Sequence, residues 1–337
     1  MLPITPQDNF CSSNLIIQFK ISKLNYSLNG ILNIIILHTL IYIIIKKLKL
    51  KNLYLLRMLT IILILLFCVS YSFPQNYSLL STFGHFQNAG SFSINPKGII
   101  YISDLETNQV FAFDTLGNEL NYTGGFGWGI SAFDMPVDVF ATSLNVYVTD
   151  KNNHRIQRLD TDLNFISELT TRDNGNNEIS FGYPLSAATS SLGELYVLDS
   201  ENIRVIKFNI FGQYISNFGS YNYGNYKLKS PSKLIISNNN DVYILDGMRL
   251  MRFDQFGNGN DIRNLDFDIT NIRISGDNLT LNTKDDIYYL NLKTPNSFLE
   301  RLFIFGNSFF RPIKAATIFN NKLYVLTEDE ISVFVKN

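Results

Sequence analysis

The sequence predicts an all-β protein, a six-bladed β-propeller of four-stranded blades. The motif Tyr-x-x-Asp begins at Tyr101, Tyr147, Tyr196 and Tyr243, at intervals of 46, 49 and 47 residues. Repeats of this length are typical of propellers, in which each repeat forms one blade. The chain also has 27 Phe and 18 Tyr among its 337 residues, and these side chains favour strands. Turn residues divide each repeat into pieces of strand length.

Each repeat is expected to contain four strands. The first opens at a proline, as at Pro184, Pro231 and Pro312, each of which lies 12 residues before its anchor tyrosine. The second strand carries the Tyr-x-x-Asp motif, and a polar turn leads to the third. A turn that contains Gly or Asn leads to the fourth, because these residues supply the positive φ that a tight hairpin needs.

Two weaker copies bring the number of repeats to six, and the two ends of the chain complete the ring. The weaker copies begin at Leu279 and Tyr324. The last repeat stops at its third strand, 331–335, and a matching fourth strand stands at the front of the repeats, at 77–83. Pairing these two strands closes the ring and covers both edges.

Residues 73–337 are therefore expected to form the propeller, with two segments before them. Residues 58–72 have the apolar run and small-residue end of a signal peptide or signal anchor, after a basic stretch. Residues 1–57 are an extension with an apolar run at 31–45, interpreted as a transmembrane helix or as residues upstream of the true translation start. Both interpretations export the propeller, which would be periplasmic, secreted or membrane-tethered, with membrane contact only through the N-terminal segment.

After each Tyr-x-x-Asp anchor the chain resembles the NHL-repeat family. Residues 150–156 read Asp-Lys-Asn-Asn-His-Arg-Ile and residues 199–205 read Asp-Ser-Glu-Asn-Ile-Arg-Val, close to that family's Asp-x-x-Asn-x-Arg-Ile core. The resemblance implies a bacterial, exported six-bladed propeller. It does not imply a function, because the family includes RNA-binding modules, protein-interaction modules, sensor ectodomains and a zinc-dependent lyase.

Charge and residue counts exclude two classes of site. Residues 1–72 hold seven of the 28 basic and one of the 29 acidic residues, which leaves 21 basic and 28 acidic residues in 73–337, a net charge of −7. An acidic domain binds the phosphates of nucleic acid poorly, so no nucleic-acid partner is expected. Only His85 and His154 lie in the propeller, and Cys11 and Cys68 precede it, so no metal or other cofactor is predicted.

The NHL-like Asp and Arg residues are interpreted as structural. Asp150 with Arg155, and Asp199 with Arg204, would strap the turn between the second and third strands. A motif that recurs in several repeats is typical of scaffold, whereas a functional site is usually present once.

The central channel is the first candidate site. The position two residues after each proline should lie near one mouth of the channel. It reads Asp138, Ser186, Lys233 and Lys314, with Ser91 aligned by spacing in the first repeat and the fifth repeat ambiguous at Ile269 or Thr270. Similar six-bladed lactonases hold a divalent metal with Glu, Asn and Asp from such positions, but the two lysines would repel a cation. Asp138, Lys233 and Lys314 are therefore candidates for holding an anionic ligand, with a plain solvated lining as the alternative.

The second candidate site is an aromatic loop face. Trp128, Tyr221, Tyr223 and Tyr226 lie on Gly-rich loops, and His154 lies in a polar turn expected on the same face. Rigid aromatic area beside adaptable polar groups is typical of recognition surfaces. The alternative is that these aromatic side chains fold back and cap the blades.

These features predict an exported, non-enzymatic propeller that binds a protein, peptide or glycan partner through the aromatic loop face. The alternative is an enzyme at the channel mouth, a metal-dependent lactonase or lyase. The sequence disfavours this alternative because the His and Glu ligands of such enzymes are missing.

Overall fold

The computed structural model describes residues 76–172, 175–293, 298–305 and 312–337, and these residues form 24 β-strands. The N-terminal extension, the signal-like segment and the start of the propeller domain predicted at 73 lie outside the described residues. Among the residues described, no helix has both the length and the apolar character needed to cross a membrane.

Four sets of strands each form a separate antiparallel sheet. The first set is β2 (Ala89–Ile94), β3 (Ile100–Asp104), β4 (Gln109–Phe113) and β5 (Glu119–Gly124). The second is β6 (Pro136–Ala141), β7 (Asn145–Asp150), β8 (Arg155–Asp160) and β9 (Phe165–Thr170). The third is β10 (Ser186–Thr189), β11 (Leu195–Asp199), β12 (Arg204–Phe208) and β13 (Tyr214–Phe218). The fourth is β14 (Pro231–Ile236), β15 (Val242–Asp246), β16 (Arg249–Phe253) and β17 (Gly259–Asn264).

Two further sets share one eight-stranded sheet. One set is β18 (Asn271–Ser275), β19 (Asn278–Asn282), β20 (Ile287–Asn291) and β21 (Glu300–Phe305). The other is β22 (Ala315–Phe319), β23 (Lys322–Leu326), β24 (Ile331–Lys336) and β1 (Asn76–Phe83). The two sets are continuous because β1 pairs antiparallel with β24 and also parallel with β21.

The sets are arranged as a ring. Their first strands contact one another in chain order, from β2 through β6, β10, β14 and β18 to β22, and β22 contacts β2 again. The all-β propeller predicted from the repeats is therefore confirmed, with the first strand of each set around a common axis.

The N-terminal strand closes the ring, as predicted. The pairing of β1 with β24 runs from Tyr77 opposite Lys336 to Phe83 opposite Ile331. Tyr77 is 2% exposed and packs into a core cluster with Leu302 of the neighbouring set. The first described strand thus holds the last strand by backbone pairing and by apolar packing at once.

Burial follows position within each set. The second strands β3, β11 and β15 are buried along their whole length, whereas β5, a fourth strand, is mostly exposed. Second strands have a neighbouring sheet against both faces, so they consist of residues such as Val, Ile, Leu and Tyr. The core is therefore divided into clusters between adjacent blades rather than gathered in one centre.

The hairpin between third and fourth strands repeats one polar turn. In the first set the Asp114 carboxylate accepts hydrogen bonds from the backbone N–H groups of Leu116 and Asn118, at 2.8 and 2.9 Å. Gly117 has φ +91°, a conformation that favours glycine. Asn118 is the first cause of a lowered pKa for the Asp114 carboxyl. Asp160 and Asp254 build the same turn in the second and fourth sets.

Replacing Tyr77 tests the closure of the ring. Tyr77→Ala should lower the free energy of unfolding by about 3–5 kcal/mol, because it removes a buried aromatic side chain and leaves a cavity. Leu80→Ala on the same strand is the matched control: Leu80 is 52% exposed, so its loss should cost about 0.5 kcal/mol or less. Urea denaturation of both variants measures the difference, and equal stability of the two would contradict the closing role of β1.

Candidate functional site

Five buried polar side chains meet at the axis of the ring, one from each of five first strands. They are Ser91 on β2, Asp138 on β6, Ser186 on β10, Lys233 on β14 and Arg273 on β18. None of the five is more than 7% exposed. We call this group the channel cluster.

The Asp138 carboxylate is the centre of the channel cluster. The hydroxyls of Ser91 and Ser186 donate to its two oxygens, each at 2.6 Å. Lys233 forms an ion pair with the same carboxylate, and Arg273 Nη1 lies 3.4 Å from Oδ1. Arg273 Nη2 also donates to the Ser91 hydroxyl at 2.5 Å. One carboxylate therefore links five of the six blades.

The cluster holds more positive than negative charge. Burial raises the pKa of Asp138, but Lys233 and Arg273 outweigh burial and hold that pKa below its ordinary value. Burial and then the Arg273 charge lower the pKa of Lys233 to about 7, against the opposing effect of Asp138. Burial also lowers the pKa of Arg273, although a guanidinium remains charged. Lys233 is therefore poised to gain or lose a proton near neutral pH.

Buried polar atoms without a protein partner lie next to the cluster. The hydroxyls of Ser103, Thr149 and Thr280 are buried and make no hydrogen bond within the described residues, and the same holds for Arg273 Nε. Ser103 lies directly opposite Ser91, Thr149 opposite Asp138 and Thr280 opposite Arg273. Residues directly opposite in antiparallel strands have side chains on the same face. The cluster thus has adjoining polar groups with unused hydrogen-bonding capacity.

The structure brings together four of the predicted channel residues and replaces two. The four that meet in the channel cluster are Ser91, Asp138, Ser186 and Lys233. Lys314 does not take part: its Nζ lies 3.3 Å from Asn88 Oδ1. In the sixth set the position that corresponds to Ser186 is occupied by Ala315. Ala315 pairs with Leu326, as Ser186 pairs with Leu198 in the third set.

The fifth contributor is Arg273, which the sequence did not identify. Counting back from the anchor indicated Ile269 or Thr270, but the turn between β18 and β19 has two residues, 276–277, whereas that between β2 and β3 has five, 95–99. The strand pairing gives the correct position in the fifth set. Arg273 lies two residues after Asn271, which pairs with Asn282, and Asp138 lies two residues after Pro136, which pairs with Asp150. A Gly-Asp turn at 276–277 was the signal in the sequence.

The channel cluster does not fit a divalent metal. Its one carboxylate is already paired with two cations, whereas metal sites gather several anionic or neutral donors. In the described ranges no three His, Cys, Asp or Glu side chains are grouped so as to hold a metal ion.

The NHL-like pairs organise loops. Arg155 donates to the Asp150 carboxylate at 2.8 Å, and its other nitrogens donate to the carbonyls of Trp128, Gly129 and Ala132. Burial raises the pKa of Asp150 despite these hydrogen bonds.

The third set repeats the arrangement. Arg204 lies 3.2 Å from the Asp199 carboxylate and donates to the carbonyls of Asn177 and Ser180. In both sets the pair ties the turn after the second strand to the loop that enters the blade.

The predicted aromatic loop face is divided. Trp128 and Tyr221 are 76% and 81% exposed. The Tyr223 hydroxyl donates to the carbonyl of Asn217 at 3.0 Å, and Tyr226 packs edge-on against Phe253 with ring centres 5.9 Å apart. Half of these residues thus present aromatic surface, and half are used in packing.

His154 contacts the neighbouring loop rather than open solvent. Its Nδ1 accepts a hydrogen bond from the Tyr183 N–H at 2.9 Å, and its ring packs edge-on against the Tyr183 ring. Burial and then Arg172 lower the pKa of His154, and Glu201 opposes them. The predicted ligand-binding role of His154 remains a prediction.

Comparison with known families gives one match: the NHL repeat, over residues 133–159. That range covers the second blade from its first strand to its third. The chain is a β-propeller that carries an NHL repeat. A search of the curated proteins finds no match.

Three solved structures that the chain resembles are lyases. One is a streptogramin B lyase, with 12% identity, a TM-score of 0.55, and coverage of 77% of this chain and 98% of that one. A selenomethionine-substituted virginiamycin B lyase from Staphylococcus aureus has 13% identity, a TM-score of 0.51 and coverage of 77% and 99%. A catalytically inactive virginiamycin B lyase from the same organism, with quinupristin, has 15% identity, a TM-score of 0.50 and coverage of 74% and 96%. At these identities the likeness establishes the fold alone.

This finding corrects the predicted function. The interpretation of a non-enzymatic propeller that binds a partner through its aromatic loop face is contradicted, because solved propellers that the chain resembles include lyases. The alternative, an enzyme at the channel, is better supported. The inference against it rested on missing metal ligands, and missing ligands exclude only one kind of site, not enzymes as a class.

The ionisation of the channel cluster is testable through stability. Asp138→Asn should lower the free energy of unfolding by about 3–5 kcal/mol, because it leaves two buried cations without a counter-ion. Lys233→Met should instead be more stable than the unmodified protein below pH 7, because it leaves one anion with one cation.

The advantage of Lys233→Met should shrink as pH rises. The pKa of Lys233 is about 7 in the folded protein, whereas the ordinary lysine value of 10.5 applies to the unfolded chain. Between these values the unfolded chain binds more protons, so stability of the unmodified protein rises with pH while that of the variant lacks this contribution. Thermal denaturation of both proteins across this range measures the gap. A gap that is independent of pH would contradict a lowered pKa for Lys233.

Proposed function

We propose that this propeller is a lyase whose active site is the channel cluster, with Lys233 as its acid–base group. The observation that carries the proposal is a buried lysine beside Arg273, with its pKa lowered to about 7. General bases work best when their pKa lies near the operating pH, and strongly shifted pKa values concentrate at functional sites.

The arrangement of charges suits removal of a proton from carbon. Neutral Lys233 would accept a proton from a carbon next to a carbonyl group, and the negative charge that develops on the substrate would be stabilised by Arg273. Asp138 would position both cations, since it is bonded to each. These steps need no metal, in agreement with the poor fit of the cluster to one.

The cations are also the members of the cluster nearest to solvent. The side chains of Lys233 and Arg273 are 8% and 9% exposed, whereas that of Asp138 is 2% exposed. The two cations are therefore the more exposed partners of the Asp138 carboxylate.

Turnover of lactones and quinupristin tests the proposal. The full chain should consume one of these compounds, and Lys233→Met should be slower by about 10²-fold or more, the usual contribution of a general base. The control is Lys207→Met, which removes a lysine of similar burial that pairs with Glu194 at 2.8 Å and lies outside the channel cluster. In the unmodified protein kcat/KM should rise with pH through about 7, as Lys233 loses its proton.

Mass spectrometry of the products distinguishes the two reaction classes. Elimination opens a lactone without a change in mass, whereas hydrolysis adds one water. Products that gain one water would replace the lyase assignment by a lactonase. Failure of the folded, unmodified chain to consume quinupristin or any lactone of the panel, or equal rates for Lys233→Met and Lys207→Met, would overturn the proposal.

A further inference from the structure

The channel cluster has one positive charge that no group of the described residues compensates. Lys233 and Arg273 both pair with Asp138, and the structure gives the cluster no second carboxylate. The Asp138 oxygens also already accept from Ser91 and Ser186. A buried charge without a counter-ion is costly, so this arrangement favours either loss of a proton or arrival of an anion.

Both cations have donors left for an anion. An ammonium has three N–H groups, and Lys233 Nζ has one ion-pair partner among the described residues, Asp138. Arg273 uses Nη1 and Nη2 toward Asp138 and Ser91, while its Nε is buried and has no hydrogen-bond partner. The Arg273 guanidinium therefore keeps the Nε–H group as a donor for an oxygen of an anion.

The surroundings add further unmet polar groups. The hydroxyls of Ser103, Thr149 and Thr280, directly opposite three members of the cluster, have no partner within the described residues. Buried polar groups are nearly always hydrogen-bonded, so three buried hydroxyls without partners beside the channel cluster need an explanation. A ligand with several acceptor oxygens would supply one, directly or through water.

We infer that the channel cluster binds a small carboxylate, a monoanion held between Lys233 and Arg273. One uncompensated positive charge matches a single negative charge better than a doubly charged phosphate. Binding would also retain the proton on Lys233, because an anion offsets the Arg273 charge that now opposes protonation. The titratable groups that act on Lys233 are Asp138 on β6 and Arg273 on β18.

The inference names the substrate class of the proposed function, and for that step it rests on the proposed function. In an elimination from an ester of a β-hydroxy carbonyl compound, the C–H bond breaks on the carbon that lies between that compound's carbonyl group and the carbon bearing the ester oxygen, and its proton goes to Lys233 Nζ. The electron pair of that bond forms a C=C double bond, the C–O bond breaks, and its electrons leave with a carboxylate. That carboxylate forms beside protonated Lys233 and Arg273. The substrates would therefore be esters or lactones with a carboxylate as leaving group.

Acetate is the probe, measured by isothermal titration calorimetry on the full chain against sodium chloride at equal ionic strength. Acetate should bind saturably at pH of about 8, where Lys233 is mostly neutral, and binding should take up protons. Heats measured in two buffers of different ionisation enthalpy report that uptake. Arg273→Gln and Lys233→Met should each abolish binding, Arg273→Lys should weaken it, and Lys207→Met should leave it unchanged.

The outcomes separate this inference from the proposed function. Absence of saturable acetate binding to the unmodified protein, or binding that persists in both Arg273→Gln and Lys233→Met, would overturn the carboxylate site. Circular dichroism of each variant establishes that lost binding is not lost folding, and folded Arg273→Lys keeps the test valid if Arg273→Gln does not fold. Acetate binding without turnover of any lactone would support the carboxylate site and overturn the lyase proposal. Turnover without acetate binding would support the lyase proposal and overturn the carboxylate site.

Discussion

The buried carboxylate of Asp138 is the interaction on which the centre of this propeller depends. Blades of a propeller otherwise meet through apolar side chains between their sheets, and such packing does not fix which side chain stands on the axis. Asp138 does so, because it is bonded to side chains from four other first strands. Two cations would repel each other at this place, and the carboxylate is what makes their proximity tolerable.

The same carboxylate joins structure to chemistry. An ion pair of one anion and one cation would be purely structural. One carboxylate between two cations instead leaves Lys233 to titrate near neutral pH. Burial lowers the pKa of Lys233, the Arg273 charge lowers it further, and the Asp138 charge opposes both effects. The feature that is costly for folding is therefore also the one that sets the pKa of Lys233, on which the proposed function rests.

The outer parts of the molecule obey a different constraint, the closure of a ring from one chain. β1 completes the sixth set and also pairs with β21 of the fifth, so that two adjacent sets become one sheet. The Arg155 and Arg204 guanidinium groups then tie inter-blade loops to the blades through backbone carbonyls. These contacts recur because each blade must solve the same problem, which is why the NHL-like motif indicated the fold and was silent on function.

The sequence by itself determined the repeats, the strand order within them, the closure by residues 77–83 and most of the channel. All of these depend on spacing within one repeat or on a turn residue, and local patterns report them directly. The tertiary structure alone decided that Arg273 enters the cluster, that Lys314 stays out of it, and that Tyr223 and Tyr226 pack while Tyr221 is exposed. A two-residue turn between β18 and β19 shifts the count in the fifth blade, and contacts across the axis join residues that are up to 182 positions apart in the chain. Electrostatic balance at the channel is a sum over several blades, so no single repeat contains the information that sets it.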